Sequence, residues 1–414
     1  MQTSVRRTVT ALVAVALAVA AAVAMPGGAA PAGAQTPPPA FYTPPSPLPA
    51  GPPGNVIKSE RITFWGATAT RVMYLSRDVN DAPMAVTGTV LVPTTPWTGP
   101  GQRPIVAYAP FTAGMGDQCA VSRVLAGEPG DLTSSVQTGF VNALLGKGIA
   151  VAQTDYQGLG TPGDHTYIVR KPSAQATLDV IRAAQRLPGT GLPTAGPVGI
   201  AGYSQGGGAS AAAAELAPTY APELKVSGAY VGAPAANPAT LATSLDGGFY
   251  AGFLLFALIG IDAAYDNVDL TVLANDAGKQ VFTEGKTVCT FDAVFRYAFK
   301  QSSTLTITGQ PVSSYLSVAP FNQIVADNKV GNLKPAAPVL IEHAALDDVL
   351  PQAQGKDLGK GWCAKGANVQ FKDIPVFLPF LVHLSAGSTA ATNAAAWLDA
   401  RFRGTAPTPN CGAF

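Results

Sequence analysis

The stretch at residues 202–206 constrains the fold of this chain more than any other. It reads G-x-S-x-G with Ser204 at its centre. An apolar run at 197–201 precedes it and an alanine-rich stretch at 207–216 follows it. Strand, sharp turn and helix in this order predict a nucleophile elbow, because small residues beside the serine let strand and helix pack closely. The alternative is a glycine turn with an incidental serine, since a chain with 44 glycines produces the pattern by chance.

A reactive serine at this turn requires a base. The elbow would expose the hydroxyl of Ser204 and leave the N–H of Gln205 free to donate to an oxyanion, and the hydroxyl is a poor nucleophile until a histidine takes its proton. The chain has three histidines. We expect His383 to be the base, in a loop between the last strand and the last helix, because the order in this fold is serine, acid, histidine. His343 is expected to be a packed or hydrogen-bonded strand residue, and His165 is a residue that could lie near the site without a catalytic role.

The acid is expected in the loop that follows a predicted strand at 338–343. That loop, at 344–351, contains two adjacent aspartates, Asp347 and Asp348. One of them should orient the imidazole and balance its charge, and the other should be a solvated neighbour or a helix cap. Spacing along the sequence does not choose between them.

Alternating strand and helix patterns predict the fold class. From about residue 104 to 234, short apolar runs alternate with helical stretches, one of which has Ser173 as its expected N-cap. The alternation resumes at 338 and ends in a helix near 394–402. This pattern is typical of an α/β protein with a doubly wound, mostly parallel sheet. With the elbow it predicts an α/β-hydrolase fold whose core has two parts, 56–234 and 336–414.

The two parts of the core are separated by residues 235–335, which read as mostly helical. An insertion of about 100 residues after a sheet strand predicts a cap or lid domain. Its most apolar piece, 248–261, is too short to span a bilayer. We expect a helix buried in the cap; the alternative is an apolar surface that lines a substrate tunnel or touches an interface.

The N-terminus reads as a targeting segment. Arg6 and Arg7 precede an apolar run at 9–25, and small residues follow up to Ala34. This predicts a secretory signal peptide over 1–34, cleaved after Ala34, the alternative being a retained membrane anchor. The proline-rich stretch at 35–55 should be an extended arm. We therefore expect a secreted protein, either free or associated with the cell envelope.

Charge excludes one class of partner. The formal net charge is +1 and 12% of the residues are charged, about half the usual share. The sequence has no run of lysines and arginines that could hold a phosphate backbone, so nucleic acid is excluded as a main partner.

Export places the four cysteines in an oxidising compartment. They are Cys119, Cys289, Cys363 and Cys411. An even count predicts two disulfides, for which three pairings exist. The sequence contains no C-x-x-C and no cluster of cysteine and histidine at ligand spacing, so we expect no metal and no cofactor.

Several motifs together resemble the secretory lipases, the group that includes the fungal lipase A enzymes. They are the elbow with its following glycine, D-Y-Q-G-L-G from Asp155, D-D-V-L-P from Asp347, C-A-K-G-A-N-V from Cys363 and H-L-S-A from His383. The match runs from about residue 62 to 411. Two segments depart from the family: P-F-T-A-G at 110–114 stands where bacterial relatives often read like H-G-T-T-G, and C-A-V-S at 119–122 stands where C-A-P-S is usual.

The resemblance implies a role for each candidate residue. Ser204 would be the nucleophile, His383 the base and Asp347 the acid, because the family has its acid four residues before the proline. The oxyanion hole would use the N–H of Gln205 and one from the loop residues Thr112, Ala113 and Gly114. The implied disulfides are Cys119–Cys289 and Cys363–Cys411, and the implied fold is an α/β hydrolase with a helical cap inserted after the nucleophile region.

The expectation is therefore a secreted, monomeric serine hydrolase that cleaves acyl esters, either a lipase or an esterase. A lipid–water interface is a candidate partner. One alternative is the same triad acting on amides, peptides or polyesters. The other is a catalytically silent binding protein on a hydrolase scaffold. The acyl chain length does not follow from the sequence.

Overall fold

A nine-stranded sheet organises the residues that the computed structural model describes, which are 40–130, 133–376 and 380–414. The expected signal peptide lies outside these residues. The strands are β1 (Val56–Ile62), β2 (Ala67–Arg77), β3 (Pro83–Pro93), β4 (Ile105–Ala109), β5 (Ala150–Thr154), β6 (Pro197–Tyr203), β7 (Lys225–Gly232), β8 (Val339–His343) and β9 (Val369–Asp373). Their spatial order is β1-β2-β3-β5-β4-β6-β7-β8-β9. The pairs from β1 to β5 are antiparallel and those from β5 to β9 are parallel, which confirms the predicted mostly parallel sheet.

Helices cover both faces of this sheet. Those of the described residues are α1 (Val121–Leu125), α2 (Thr133–Leu145), α3 (Arg170–Arg186), α4 (Gln205–Tyr220), α5 (Pro238–Ser244), α6 (Ala251–Ala264), α7 (Asp276–Gly285), α8 (Thr290–Arg296), α9 (Phe321–Asn328), α10 (Ala353–Ala364) and α11 (Val382–Phe402). Buried side chains of α3, α4 and α10 pack on one face, and those of α1, α2 and α11 pack on the other. This double covering confirms the predicted doubly wound architecture.

Strand β4 shows why the central strands read as continuous apolar runs. All five of its residues are fully buried. Ile105 and Ala107 belong to the core on one face, whereas Val106 and Tyr108 belong to the core on the other. Because side chains alternate between the faces and both faces are covered, every position in this strand faces a core and favours an apolar residue.

Two helix starts differ from the expectation. Helix α11 begins at Val382, about three turns before the expected start near 394, so His383 lies in its first turn rather than in a loop. The intervening residues are small, and Ala386 and Ala390 are buried against the sheet, so tertiary packing overrides a weak local signal. Helix α3 begins at Arg170, with Val169 rather than Ser173 as its N-cap.

The stretch between β7 and β8, all of which the structure describes, contains helices and no strand. This stretch, here called the cap, carries α5 to α9 and corresponds to the insertion predicted at 235–335. Its apolar segment forms α6, where Leu254, Phe256 and Ile259 are buried, as expected for a helix inside the cap. Within the described residues, no helix combines the length and the hydropathy that crossing a membrane requires.

Two disulfides tie distant segments together. Cys119 and Cys289, 170 positions apart, join the core to the cap with a Cα–Cα distance of 5.5 Å. Cys363 and Cys411 join α10 to the C-terminal segment with a Cα–Cα distance of 5.7 Å. These are the two pairs that the resemblance implied.

Candidate active site

Ser204 lies at a sharp turn between β6 and α4. Its φ is 59° and its ψ is −119°, a region that a residue with a Cβ rarely adopts. A Cβ at Gly202 would lie 2.0 Å from the carbonyl oxygen of Gly206, and one at Gly206 would lie 1.9 Å from that of Ala109. Only glycine fits at either position, so the turn is a strained elbow of the kind that the sequence predicted.

Asp347 and His383 form the closest pair of titratable side chains near this turn. Asp347 follows β8 and its side chain is fully buried, and its Oδ2 lies 2.6 Å from His383 Nδ1. Oδ1 accepts from the N–H groups of Val349 and Leu350 at 2.9 and 2.8 Å. Because a carboxylate only accepts, Nδ1 carries the proton, which leaves the lone pair of the imidazole on Nε2.

The charge on Asp347 is maintained despite burial. Burial alone would raise the pKa of this carboxyl group, but attraction to the protonated form of His383 and hydrogen bonds from His343 and His383 outweigh it and hold the pKa well below its usual range. His343 is fully buried, its Nε2 lies 3.3 Å from Asp347 Oδ2, and the same nitrogen donates to Leu350 O at 2.9 Å. His343 is thus a buried, hydrogen-bonded strand residue, as expected, and it lies behind the carboxylate.

The neighbouring Asp348 has a different set of contacts. Its Oδ1 accepts from the backbone N–H of His383 at 2.9 Å, and its Oδ2 accepts from the hydroxyl of Tyr250 at 3.1 Å. It therefore caps the first turn of α11. The two adjacent aspartates thus differ in their contacts: Asp347 contacts the imidazole and Asp348 contacts the helix backbone.

Tyr203, the residue before Ser204, connects the elbow to α11. Its hydroxyl donates to His383 O at 2.7 Å, and its ring lies 4.9 Å from the imidazole ring, centroid to centroid. Ser204 and His383 are both nearly buried, at 8% and 9% exposure. Across the described part of the chain, neither Ser204 Oγ nor His383 Nε2 makes a hydrogen bond. Tyr203 thus links the elbow to the start of α11, and Ser204 and His383 are not hydrogen-bonded to each other.

The candidate oxyanion loop, residues 110–114, follows β4. Its backbone is held by the cap: Thr290 donates from its hydroxyl to Thr112 O at 2.8 Å and from its N–H to Ala113 O at 3.1 Å. Gly114 pairs with Cys289 in an isolated bridge and has a φ of 136°, where a Cβ would lie 2.5 Å from the Cα of Cys289. Among the described residues, no acceptor binds the N–H groups of Thr112, Ala113, Gly114 or Gln205, so all four candidate donors are available.

His165 lies beside the elbow, and the sequence assigned it no catalytic role. It is fully buried, its Nδ1 lies 2.8 Å from Gln157 O, and its Nε2 lies 3.1 Å from Gln205 Nε2. The contact with Gln205 was not predicted, because two residues 40 positions apart leave no periodic signal in a sequence.

The described residues contain no candidate metal site. No group of three or more histidine, cysteine, aspartate or glutamate residues there is arranged to hold an ion.

Fold and site together define the class of protein. A serine on a strained elbow at the end of a central parallel strand, with a histidine and a carboxylate on later segments, is the arrangement of an α/β hydrolase. The chain belongs to the secretory lipase family, whose profile, described as "Secretory lipase", matches residues 130–410. It thus has the fold and the family of the lipase-type hydrolases, and the disulfides and the secretory family agree with an extracellular location.

Individual relatives match most of the chain. A probable inactive lipase of Mycobacterium tuberculosis is 31% identical over 381 residues, which cover 88% of this chain and 82% of the relative. Lipase A of Moesziomyces aphidis is 28% identical over 390 residues, which cover 90% of this chain and 81% of the relative. Among solved structures, Candida antarctica lipase A in its closed state has a TM-score of 0.79 and 26% identity, covering 90% of this chain and 88% of that one.

Proposed function

We propose that the protein is a secreted serine hydrolase of carboxylic esters in which Ser204 is the nucleophile, His383 the base and Asp347 the acid. The observation that carries the proposal is the 2.6 Å contact between Asp347 and His383 Nδ1 beside a serine at a strained elbow. It leaves Nε2 as the basic nitrogen, which is the tautomer that deprotonates a serine. Catalytic hydrogen bonds are often long before substrate binds, so Ser204 and His383 are expected to join in the substrate complex.

In the first half of the reaction, Ser204 Oγ attacks the ester carbonyl carbon and His383 Nε2 takes its proton. Asp347 stabilises the resulting imidazolium. The carbonyl oxygen becomes an oxyanion that accepts from the N–H of Gln205 and from one N–H of residues 112–114. The tetrahedral intermediate collapses, the C–O bond to the alcohol breaks, and His383 gives its proton to the leaving alkoxide. An acyl-enzyme remains.

In the second half, water replaces the alcohol. His383 takes a proton from the water, whose oxygen attacks the acyl carbon to form a second tetrahedral intermediate in the same oxyanion hole. Collapse breaks the bond to Ser204 Oγ, and the imidazolium returns its proton to the serine. The products are a carboxylic acid and the restored enzyme, and no cofactor is consumed.

An apolar acyl group is the proposed substrate class, and a lipid–water interface is the proposed partner. Aromatic rings on the cap support both proposals. Phe295 and Phe299 are 41% and 67% exposed, and their ring centroids lie 5.9 and 5.8 Å from that of Phe249. Phe249 contacts Tyr250, which donates to Asp348 beside the base. Hydrolysis of p-nitrophenyl esters of increasing chain length, soluble and emulsified, measures this preference. Amide substrates in the same panel test the other acyl transfers.

The second candidate function is a catalytically silent protein on the same fold. The similarity to a probable inactive lipase favours it. Against it stands the presence of a serine, a carboxylate and a histidine in the hydrolase order, with the carboxylate and the imidazole already hydrogen-bonded.

One experiment separates the two candidates. An active enzyme should be labelled by a fluorophosphonate at Ser204, and Ser204→Ala should abolish the label and lower kcat by about 10⁶ while the circular dichroism spectrum is unchanged. Ser210→Ala is the matched control. Ser210 lies in the second turn of α4, and its hydroxyl donates to backbone oxygens rather than facing the elbow serine. A wild-type protein that neither reacts nor hydrolyses esters, or a Ser204→Ala variant that keeps its activity, contradicts the proposed function.

A further inference from the structure

The loop that follows β5 contacts both halves of the proposed oxyanion hole. Three side chains of residues 156–167 make these contacts. Tyr156 donates to Pro110 O at 2.8 Å, and the hydroxyl of Tyr167 lies 2.7 Å from Thr112 Oγ1. On the other side, His165 Nε2 lies 3.1 Å from the side-chain nitrogen of Gln205. One loop therefore spans from the oxyanion loop to the residue after the nucleophile.

The hydrogen bonds of His165 define its protonation state. Nδ1 faces the carbonyl of Gln157, which only accepts, so Nδ1 carries a proton. If the amide of Gln205 were turned so that its oxygen faced Nε2, the ring would need a second proton and would be a cation in a fully buried site, which is costly. The arrangement that avoids this cost is a neutral ring whose Nε2 accepts from the amide of Gln205.

The surroundings of His165 agree with this state. The rings of Tyr156 and Tyr167 each lie 6.0 Å from the imidazole, one stacked and one edge-on. Burial lowers the pKa of His165 to about 4, against a smaller opposing effect of the hydrogen bond to Gln157 O. The nearest ion pair along the chain, Asp164 with Lys286, is partly exposed.

We propose that His165 is a positioning residue that, with Tyr167, sets the distance between the two donors of the oxyanion hole, the N–H of Gln205 and an N–H of residues 112–114. His165 touches neither the substrate nor the nucleophile. It acts by holding the side chain of Gln205 against the loop that also holds Thr112. The inference rests on the proposed function, because an oxyanion hole matters only if Ser204 forms a tetrahedral intermediate.

Two substitutions at the same position test the role of the Nε2 atom. In His165→Gln the side-chain oxygen can take the place of Nε2 and accept from Gln205. In His165→Asn the amide can replace only Nδ1 and bond Gln157 O, so the contact with Gln205 is lost. We expect His165→Asn to lower kcat by roughly 10- to 100-fold, the size of effect that a small misplacement in an active site produces. KM should change little, and His165→Gln should recover most of the lost kcat.

A second pair of variants tests the other side of the loop. Tyr167→Phe removes the hydroxyl that contacts Thr112 and should lower kcat with KM nearly unchanged. Tyr220→Phe is the matched control, because it removes a hydroxyl that bonds Asp179 at the far end of α4, 2.8 Å away. The control should leave kcat unchanged even if the melting temperature falls.

The outcomes separate this inference from the proposed function. Equal kcat for His165→Asn and His165→Gln, or a wild-type kcat in His165→Asn, overturns the inference while fluorophosphonate labelling upholds the triad. A wild-type protein without label or activity contradicts the proposed function and the inference with it. Nitrogen-15 NMR of the imidazole, assigned by loss of the signal in His165→Asn, needs no activity: a ring protonated at Nδ1 alone supports the contact, and a proton on Nε2 overturns it.

Discussion

The two halves of the candidate site are held by different parts of the molecule. The half that contains Ser204, Asp347 and His383 lies on the core, at the ends of β6 and β8 and at the start of α11. The oxyanion loop also leaves a core strand, but it is held by the cap as well as by the core side chains of Tyr156 and Tyr167. From the cap, Thr290 binds the loop backbone and Cys289 is bonded to Cys119 just beyond it.

The difference shows how each half can be altered. At the elbow, the backbones of Gly202, Gly206 and Ala109 are in direct contact, so the path of the turn does not depend on long side chains. At the oxyanion loop, the position depends on hydrogen bonds from core side chains such as Tyr156, and on one disulfide and a few hydrogen bonds from residues 288–290 of the cap. Changes in the cap should therefore affect stabilisation of the oxyanion and leave activation of the nucleophile intact.

The largest expected effect is on the core half. Asp347→Asn should lower kcat by about 10⁴, because an amide no longer holds the imidazole in the tautomer that accepts the serine proton. Asp348→Asn, the adjacent control, keeps an acceptor for the N–H of His383 and should stay within about tenfold of the wild type. Steady-state kinetics on one soluble ester measures both. A larger loss in Asp348→Asn than in Asp347→Asn would reverse the assignment of the acid.

The two disulfides provide the next test. In the chain-entropy model, the two disulfides stabilise the folded state by similar amounts, at most about 5 kcal/mol for Cys119–Cys289 and about 4 kcal/mol for Cys363–Cys411. Replacing either pair by serine should lower the melting temperature. Only loss of Cys119–Cys289 should also lower kcat, by roughly 10- to 100-fold, since only that bond holds the oxyanion loop. Equal kcat in the two double variants, measured where both are folded, would show that the cap does not control the loop.

The pH dependence of the free energy of unfolding tests whether His165 is buried and neutral in the folded protein. Burial lowers the pKa of His165 from 6.5 to about 4. Between these values the unfolded chain binds the proton and the folded chain does not, so stability falls as the pH falls from 6.5 to 4, by about 3 kcal/mol in total. Urea unfolding at a series of pH values measures the loss. The part of the slope that is due to this residue should be missing in His165→Asn, and an unchanged slope would show that His165 is charged or exposed.

The smallest effect concerns one hydroxyl of the cap. Thr290→Val removes the bond from the side chain to Thr112 O but keeps the N–H that bonds Ala113 O. A hydrogen bond of this kind is worth about 0.5–1.5 kcal/mol, so kcat should fall by about two- to tenfold. Thr306→Val, which removes a hydroxyl bonded to Gln310 O elsewhere in the cap, is the control and should leave kcat unchanged. A loss of equal size in both variants would indicate a general effect on the cap.

The core half was largely predictable from the sequence because its signals are local. A G-x-S-x-G between an apolar run and an alanine-rich stretch predicted the turn at Ser204, and two aspartates after a strand predicted the acid loop. Spacing did not choose between Asp347 and Asp348, since adjacent residues differ only in which way they point; the family resemblance favoured Asp347, the residue that contacts His383 in the structure. The predicted start of α11 was wrong, because small residues carry only a weak helical signal and the packing of this segment against the sheet is not visible in the sequence.

The oxyanion half was much less predictable. Its loop was located from its place after a central strand, but its contacts with Thr290 and Cys289 join segments more than 170 positions apart. Hydrogen bonds between such distant residues leave no periodicity in a sequence. The contact between His165 and Gln205 is of the same kind, and a single buried histidine has no pattern that distinguishes it from a packed core residue.

The bond between Cys119 and Cys289 has a practical consequence for recombinant production. A host cytoplasm that keeps thiols reduced would leave the loop at 110–114 untethered, although the core sheet could still assemble. Soluble yield and overall helix content would then be poor guides to the quality of a preparation. Export to an oxidising compartment, or oxidative refolding followed by a free-thiol assay, is the appropriate route to material on which turnover can be measured.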